Sequence, residues 1–152
     1  MPTNLTRTPN GVQMEPDIYC VVLTTGVTTS AGDLSKRIGF AECGAIVTFE
    51  GIVRASEHSR KLMALDYEHH PIMAETQLRR VCTAALEKFD IEQVACEHCT
   101  GRVEVGSPSV AIAIGANHRG PAFQACQYIL DELKIIVPIW KTPLYRNSLS
   151  TA

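Results

Sequence analysis

Two amphipathic helices, each opened by a proline, limit most strongly what this chain can fold into. Pro71 stands where a first helical turn loses nothing by a missing N–H. After it, Ala74, Leu78, Val81, Cys82, Ala85, Leu86 and Phe89 step by fours and threes, which predicts one apolar stripe on a helix running to about Phe89. Gly120-Pro121 opens the second helix, whose stripe is Phe123, Cys126, Ile129, Leu130 and Leu133. Pro138 stops that helix and biases Val137 away from it, so residues 137–141 are expected to be extended. Each stripe has to be buried against another element, and the rest of the chain offers strands.

Ile18–Leu23 is rich in β-formers and stops at Thr24-Thr25-Gly26, which reads as strand and turn. A short helix over 31–38 with Ser30 as its cap follows. Residues 45–53 alternate loosely and contain Gly51, the mark of a bulge or a close backbone approach. The basic stretch 55–61 reads as a loop and 62–68 as a strand, so 45–68 is expected to form a hairpin with a long tip. Residues 93–98 and 109–115 read as strands, with 101–108 as the turn region between them. Strands in hairpins with two packed helices give an α+β sandwich rather than a doubly wound sheet.

At 152 residues the chain is the size of one domain. We expect residues 1–16 to be a flexible polar arm and 17–152 a single domain. The formal charge of −2 gives no field for nucleic acid or an anionic membrane, so anion binding has to be local. No apolar run approaches the roughly 18 residues that span a bilayer, and the polar start lacks the core of a signal peptide. The expectation is a soluble, cytoplasmic protein without a cofactor. In that setting the six cysteines are mostly inert thiols, and Cys82 and Cys126 sit on the helix stripes as small hydrophobes.

Cys96-x-x-Cys99 invites a zinc or redox reading, but residues three apart on a strand face opposite ways and no second pair exists. His69-His70 fits a cap of the strand-to-helix turn better than a metal site with His98. No nucleophile elbow, GxxxxGK[ST] or GxGxxG is present. Trp140 fits closing the core better than stacking on a heterocycle.

The cations are more telling. Arg54 ends an apolar strand, and His118-Arg119 precedes a helix N-terminus, where free N–H groups and the dipole favour an anion. Lys134 lies beside Leu133 and four residues after Leu130, so its stem has an apolar bed while its amine can serve as acid, base or nucleophile, with Lys141 close by. Fifteen residues separate Arg119 from Lys134, about 22 Å along a helix. If both ends serve one small anionic ligand, two copies of the chain must build the site.

The segments 44–54, 65–74, His118-Arg119 with Ala122-Phe123, Leu133-Lys134 and Val137–Lys141 together resemble the large, catalytic subunit of molybdopterin synthase, in order from about Ile18 to Lys141. The resemblance implies an α/β hammerhead-type fold with an added β subdomain, and a homodimer flanked by two small ubiquitin-like subunits. It implies sulfur transfer from a C-terminal Gly-Gly thiocarboxylate of the small subunit to cyclic pyranopterin monophosphate, which creates a dithiolene. By position it makes Lys134 and Lys141 the active-site lysines, Arg54 the strand-end arginine, and His118 and Arg119 the pair from the neighbouring copy. Two departures stand out: Thr142-Pro143 follows the Trp-Lys pair where the family usually has a basic and an acidic residue, and Cys99 replaces an arginine. Two other readings compete, a non-catalytic dimeric binding module for a ubiquitin-like partner and a metal-binding regulator using Cys96, His98 and Cys99.

Overall fold

The computed structural model describes residues 18–23, 28, 30–39 and 42–147, so the N-terminal arm and the turn after the first strand lie outside the described residues. The elements run β1 (Ile18–Leu23), α1 (Ala31–Leu34), β2 (Ala45–Ile52), β3 (Ser56–Glu57), β4 (Arg60–His69), α2 (Met73–Lys88), β5 (Gln93–Cys99), β6 (Gly101–Glu104), β7 (Pro108–Ala116), α3 (Arg119–Ile136) and β8 (Ile139–Tyr145). The result is the expected α+β fold, in two sheets.

The larger sheet has the order β1-β5-β7-β2, with β1 and β5 parallel and the other pairs antiparallel. Its central strands β5 and β7 are buried on both faces, which is why they read as continuous runs rather than alternations. One face carries α2 and α3, whose Leu78, Val81, Cys82, Ile129 and Leu133 close over Val94, Ile112 and Ile114. Each such Leu or Ile contributes about 1.5–3 kcal/mol by leaving water. The other face carries α1, with Leu34 and Ile38 on the small side chains of Ala95, Ala111 and Ala113. Ser30 caps α1 as expected, its Oγ accepting from the Asp33 N–H at 3.1 Å. His70 caps the strand-to-helix turn, its Nδ1 accepting from the Met73 N–H at 3.1 Å.

The smaller sheet is built on β4, which pairs with β3, β6 and β8. Its own core is Val53, Leu62, Leu65, Cys99 and Val103.

Four expectations need correction. Residues 45–68 are not one hairpin: β2 pairs with β7, and β4 belongs to the other sheet. Past the register shift at Gly51/Ile52 only Ile52 still pairs, with Pro108, and the Val53 N–H then donates to Ser107 O at 3.0 Å as the chain crosses between sheets. A side chain at 51 would put its Cβ 2.6 Å from Val110 Cγ1, so this approach needs glycine. The true hairpin is β3-β4. Second, the turn region 101–108 contains β6, a four-residue strand in which only Val103 is buried, too short for a pattern to reveal. Third, Phe123 is off the buried stripe and 61% exposed, because Ala122 and Ala125 face the sheet instead. Fourth, Trp140 is 59% exposed rather than core, since it pairs with exposed Glu68 at the rim of the smaller sheet.

Candidate active site

A cavity of about 550 Å³ opens where the end of β2, the middle of β4, β7, β8 and the C-terminal half of α3 face one another. Its apolar wall includes Phe49, Ile52, Leu65, Leu130 and Leu133, and its basic groups are Arg54, Lys134 and Lys141. Each cation arrives by a different route. Arg54 follows the bulge that ends β2, Lys134 lies in the last turn of α3, and Lys141 is set by β8 pairing its residue with Tyr67 of β4. Three residues far apart in sequence therefore share one concave surface.

Lys134, Leu130 and Leu133 line the same wall, and Lys134 itself is exposed rather than sunk on the flank of the stripe. Gln127, Asp131 and Lys134 recur at helical spacing, and the Gln127 amide donates to Asp131 Oδ1 at 2.9 Å. Lys141 pairs with Glu57 Oε1 at 3.1 Å. With three basic side chains against the carboxylates of Glu57 and Asp131, the lining suits an anion of modest size.

His98, Tyr67 and Ser109 also line the cavity. Tyr67 Oη donates to Ser109 Oγ at 3.1 Å, and Ser109 Oγ donates to Gly51 O at 3.3 Å. The Tyr67 ring meets the His98 ring edge-on at 5.2 Å. His98 Nδ1 lies 2.7 Å from Cys99 O, and a carbonyl only accepts, so Nδ1 holds the proton and Nε2 is left as an acceptor. Burial pushes the His98 pKa down, which keeps the ring neutral.

His118 and Arg119 stand at the other end of α3, exposed and outside this cavity. Of the five predicted site residues, the structure thus gathers Arg54, Lys134 and Lys141 and leaves this pair about 22 Å away along the helix axis. Glu57, Tyr67, Ser109 and Asp131 were not singled out from sequence, and His98 was weighed only as a metal ligand. Glu57 had one available signal, as the sole carboxylate in the basic stretch 55–61.

The cysteines do not add a second site. Cys96 belongs to the core under α2 and α3 and Cys99 to the core of the smaller sheet, the opposite-face placement expected of a strand. Burial pushes the Cys99 and Cys126 thiols up to about 11. Among the described residues no cluster of three or more His, Cys, Asp or Glu could hold a metal, and no helix is long and apolar enough to cross a membrane.

Comparison with known proteins gives the family and the fold. The family model described as MoaE protein matches residues 25–135. The molybdopterin synthase catalytic subunit of Rattus norvegicus is 33% identical over 131 residues, 86% of this chain and 66% of the rat protein. The chain therefore spans just under two thirds of that relative. That of Thermoplasma volcanium is 41% identical over 115 residues, covering 76% and 84%. Molybdopterin synthase from Staphylococcus aureus superposes with a TM-score of 0.77 at 27% identity, covering 85% of this chain and 93% of that one. A chain from the Helicobacter pylori complex of subunits 1 and 2 of molybdopterin-converting factor shares the fold, with a TM-score of 0.64 at 19% identity over 88% and 92%. The chain belongs to the MoaE protein family, the catalytic subunits of molybdopterin synthase.

Proposed function

We propose that this cavity passes sulfur in two rounds, one C-terminal thiocarboxylate of a small ubiquitin-like subunit being spent in each, to cyclic pyranopterin monophosphate, forming the two-sulfur dithiolene of molybdopterin. The observation that carries the reading is the gathering of Arg54, Lys134 and Lys141 on one concave wall, with His118 and Arg119 held a helix length away. A second copy, related by two-fold symmetry, supplies that pair to the pocket, so the working unit is a homodimer with one small subunit at each end. The Helicobacter pylori complex, in which two subunits are assembled, supports a partner of this kind. The chain acts as one domain, in the cytoplasm.

The roles follow from charge and reach. Arg54, His118 and Arg119 hold the cyclic phosphate and balance its charge, as fixed cations do for transferring groups. Lys141 neutralises the incoming thiocarboxylate. Lys134 moves protons at the sulfur donor and the pterin carbon, or serves as a transient covalent partner there. His98, neutral at the cavity wall with Nε2 as an acceptor, can receive a hydrogen bond from a group bound in the pocket.

The test is Lys134→Ala, assayed with thiocarboxylated small subunit and pyranopterin. Lys134 is exposed, so the variant should fold and pair normally while product formation falls by about 10²-fold or more. Near-normal product from that variant would overturn the assignment.

A further inference from the structure

We propose that Glu57 is a latch that occupies the donor's seat on Lys141 until a carboxylate-ended chain displaces it, an inference that rests on the donor reading above. Lys141 is the cation assigned to the donor's terminus, yet in the resting chain its ammonium already holds a carboxylate, Glu57 Oε1 at 3.1 Å. Both residues line the cavity, so a chain end that reaches Lys141 arrives where Glu57 now sits. The chemistry of the seat is the same before and after exchange. The Glu57 carboxylate on the Lys141 ammonium is replaced by the carboxylate or thiocarboxylate of the arriving chain end, no covalent bond changes, and the charge around Lys141 is conserved.

The closed latch is built to let go. Glu57 is only 14% exposed, and its second oxygen, Oε2, is buried without a hydrogen-bond partner. An oxygen dehydrated in this way regains water when the side chain swings out, which favours opening. The turn that carries Glu57 adds to this. His58 and Ser59 join β3 to β4 with φ of 51° and 61°, a left-handed conformation that side chains adopt at a steric cost. Two-residue hairpins of this sort normally use Asn and Gly, and neither is here. Against these costs stands a single ion pair whose lysine is 49% exposed, the screened kind that competing ions break easily. Asp131, the other carboxylate at the cavity, differs in being held by Gln127.

Binding of a ubiquitin-like small subunit ending in Gly-Gly tests the latch, compared as the free carboxylate and with its terminus amidated. Wild type should prefer the carboxylate form. Glu57→Gln, which keeps the side chain's size, should bind the carboxylate form about three- to fivefold more tightly and the amide form unchanged. Unchanged or weaker carboxylate binding by Glu57→Gln, with wild type still preferring carboxylate over amide, would overturn the latch and leave the donor reading standing. No preference in wild type would overturn both. Hydrogen exchange on the wild-type chain covers a variant that fails to fold. Amides of residues 56–61 should lose protection when the carboxylate form binds and keep it with the amide form, and equal protection in both would sink the latch.

Discussion

Mixing two inactive variants should restore activity if the pocket is shared between copies. Arg119 opens α3 and Lys134 lies in its last turn, so Arg119→Ala and Lys134→Ala alter points about 22 Å apart on one rigid rod. In a two-fold dimer each pocket takes Lys134 from one chain and Arg119 from the other. Either variant alone then damages both pockets, and each should run about 10²-fold or more below wild type. In a mixed dimer both substitutions fall in the same pocket and the second pocket is intact. Equal amounts unfolded together and refolded re-pair at random, so about half of the dimers are mixed and half of their pockets are whole, and about one quarter of wild-type activity should return. The assay is product formation from thiocarboxylated small subunit and pyranopterin, with mixed dimers counted by native mass spectrometry. If mixed dimers form in that proportion and the rate stays at the mean of the two parents, the shared pocket is wrong.

Gly44 tests the other end of the helix. A Cβ there would collide with the backbone carbonyl of Asn117, next to His118, and Gly44 is already tied to this turn by donating to Ala116 O at 3.0 Å. Gly44→Ala should cost about 1–3 kcal/mol in urea unfolding and weaken pterin binding, with the cavity lysines untouched. His98 gives a pH signature. Its folded pKa lies below the usual 6.5, so its contribution to stability is full above that value and drains away as pH falls below it toward the folded pKa. Between pH 7 and 5 wild type should lose up to about 1.4 kcal/mol per unit below 6.5 relative to His98→Gln, and parallel curves would contradict the buried neutral ring. Thiol labelling at pH 8 should reach half-buried Cys43 well before Cys99 and Cys126, whose pKa values are pushed up to about 11 by burial. Rapid modification of Cys99 in the folded chain would refute that order.

What could be read from the chain depended on how far apart the interacting residues are. The stripe of Ala74 to Phe89 and the capping by Ser30 and His70 are local signals, and the structure keeps them. The pairing of β2 with β7 joins residues more than fifty positions apart, so proximity in sequence suggested β4 as its partner. The stripe of α3 holds at Cys126, Ile129 and Leu133 and fails only at Phe123, because Ala122 and Ala125 carry little hydrophobic weight, although a small side chain is what lets a helix sit close on a sheet. Candidate site residues were legible where a cation ends an element, as Arg54 and Lys134 do. Glu57 was not, because its meaning depends on a turn with two left-handed residues that nothing in His58-Ser59 advertises.

The departure from the family pattern at Thr142-Pro143 matters less for Lys141 than its closeness suggests. Thr142 and Pro143 do not leave the strand: β8 runs on to Tyr145, with Thr142 opposite Asp66 and Pro143 opposite Leu65. Proline is tolerated because β8 pairs with β4 alone among the described strands, and an edge strand has a free side for a residue without an N–H. Beyond it the strand is fastened again, the Arg146 N–H donating to Lys61 O at 2.9 Å and the Arg60 guanidinium lying 3.7 Å from the Tyr145 ring centre. Lys141 is therefore anchored from both sides. Register is the property that the lysine depends on, since side chains alternate along a strand. A slip of one residue against β4 would turn Lys141 out of the cavity and present Trp140 or Thr142 in its place, removing the seat for which Glu57 and the donor compete.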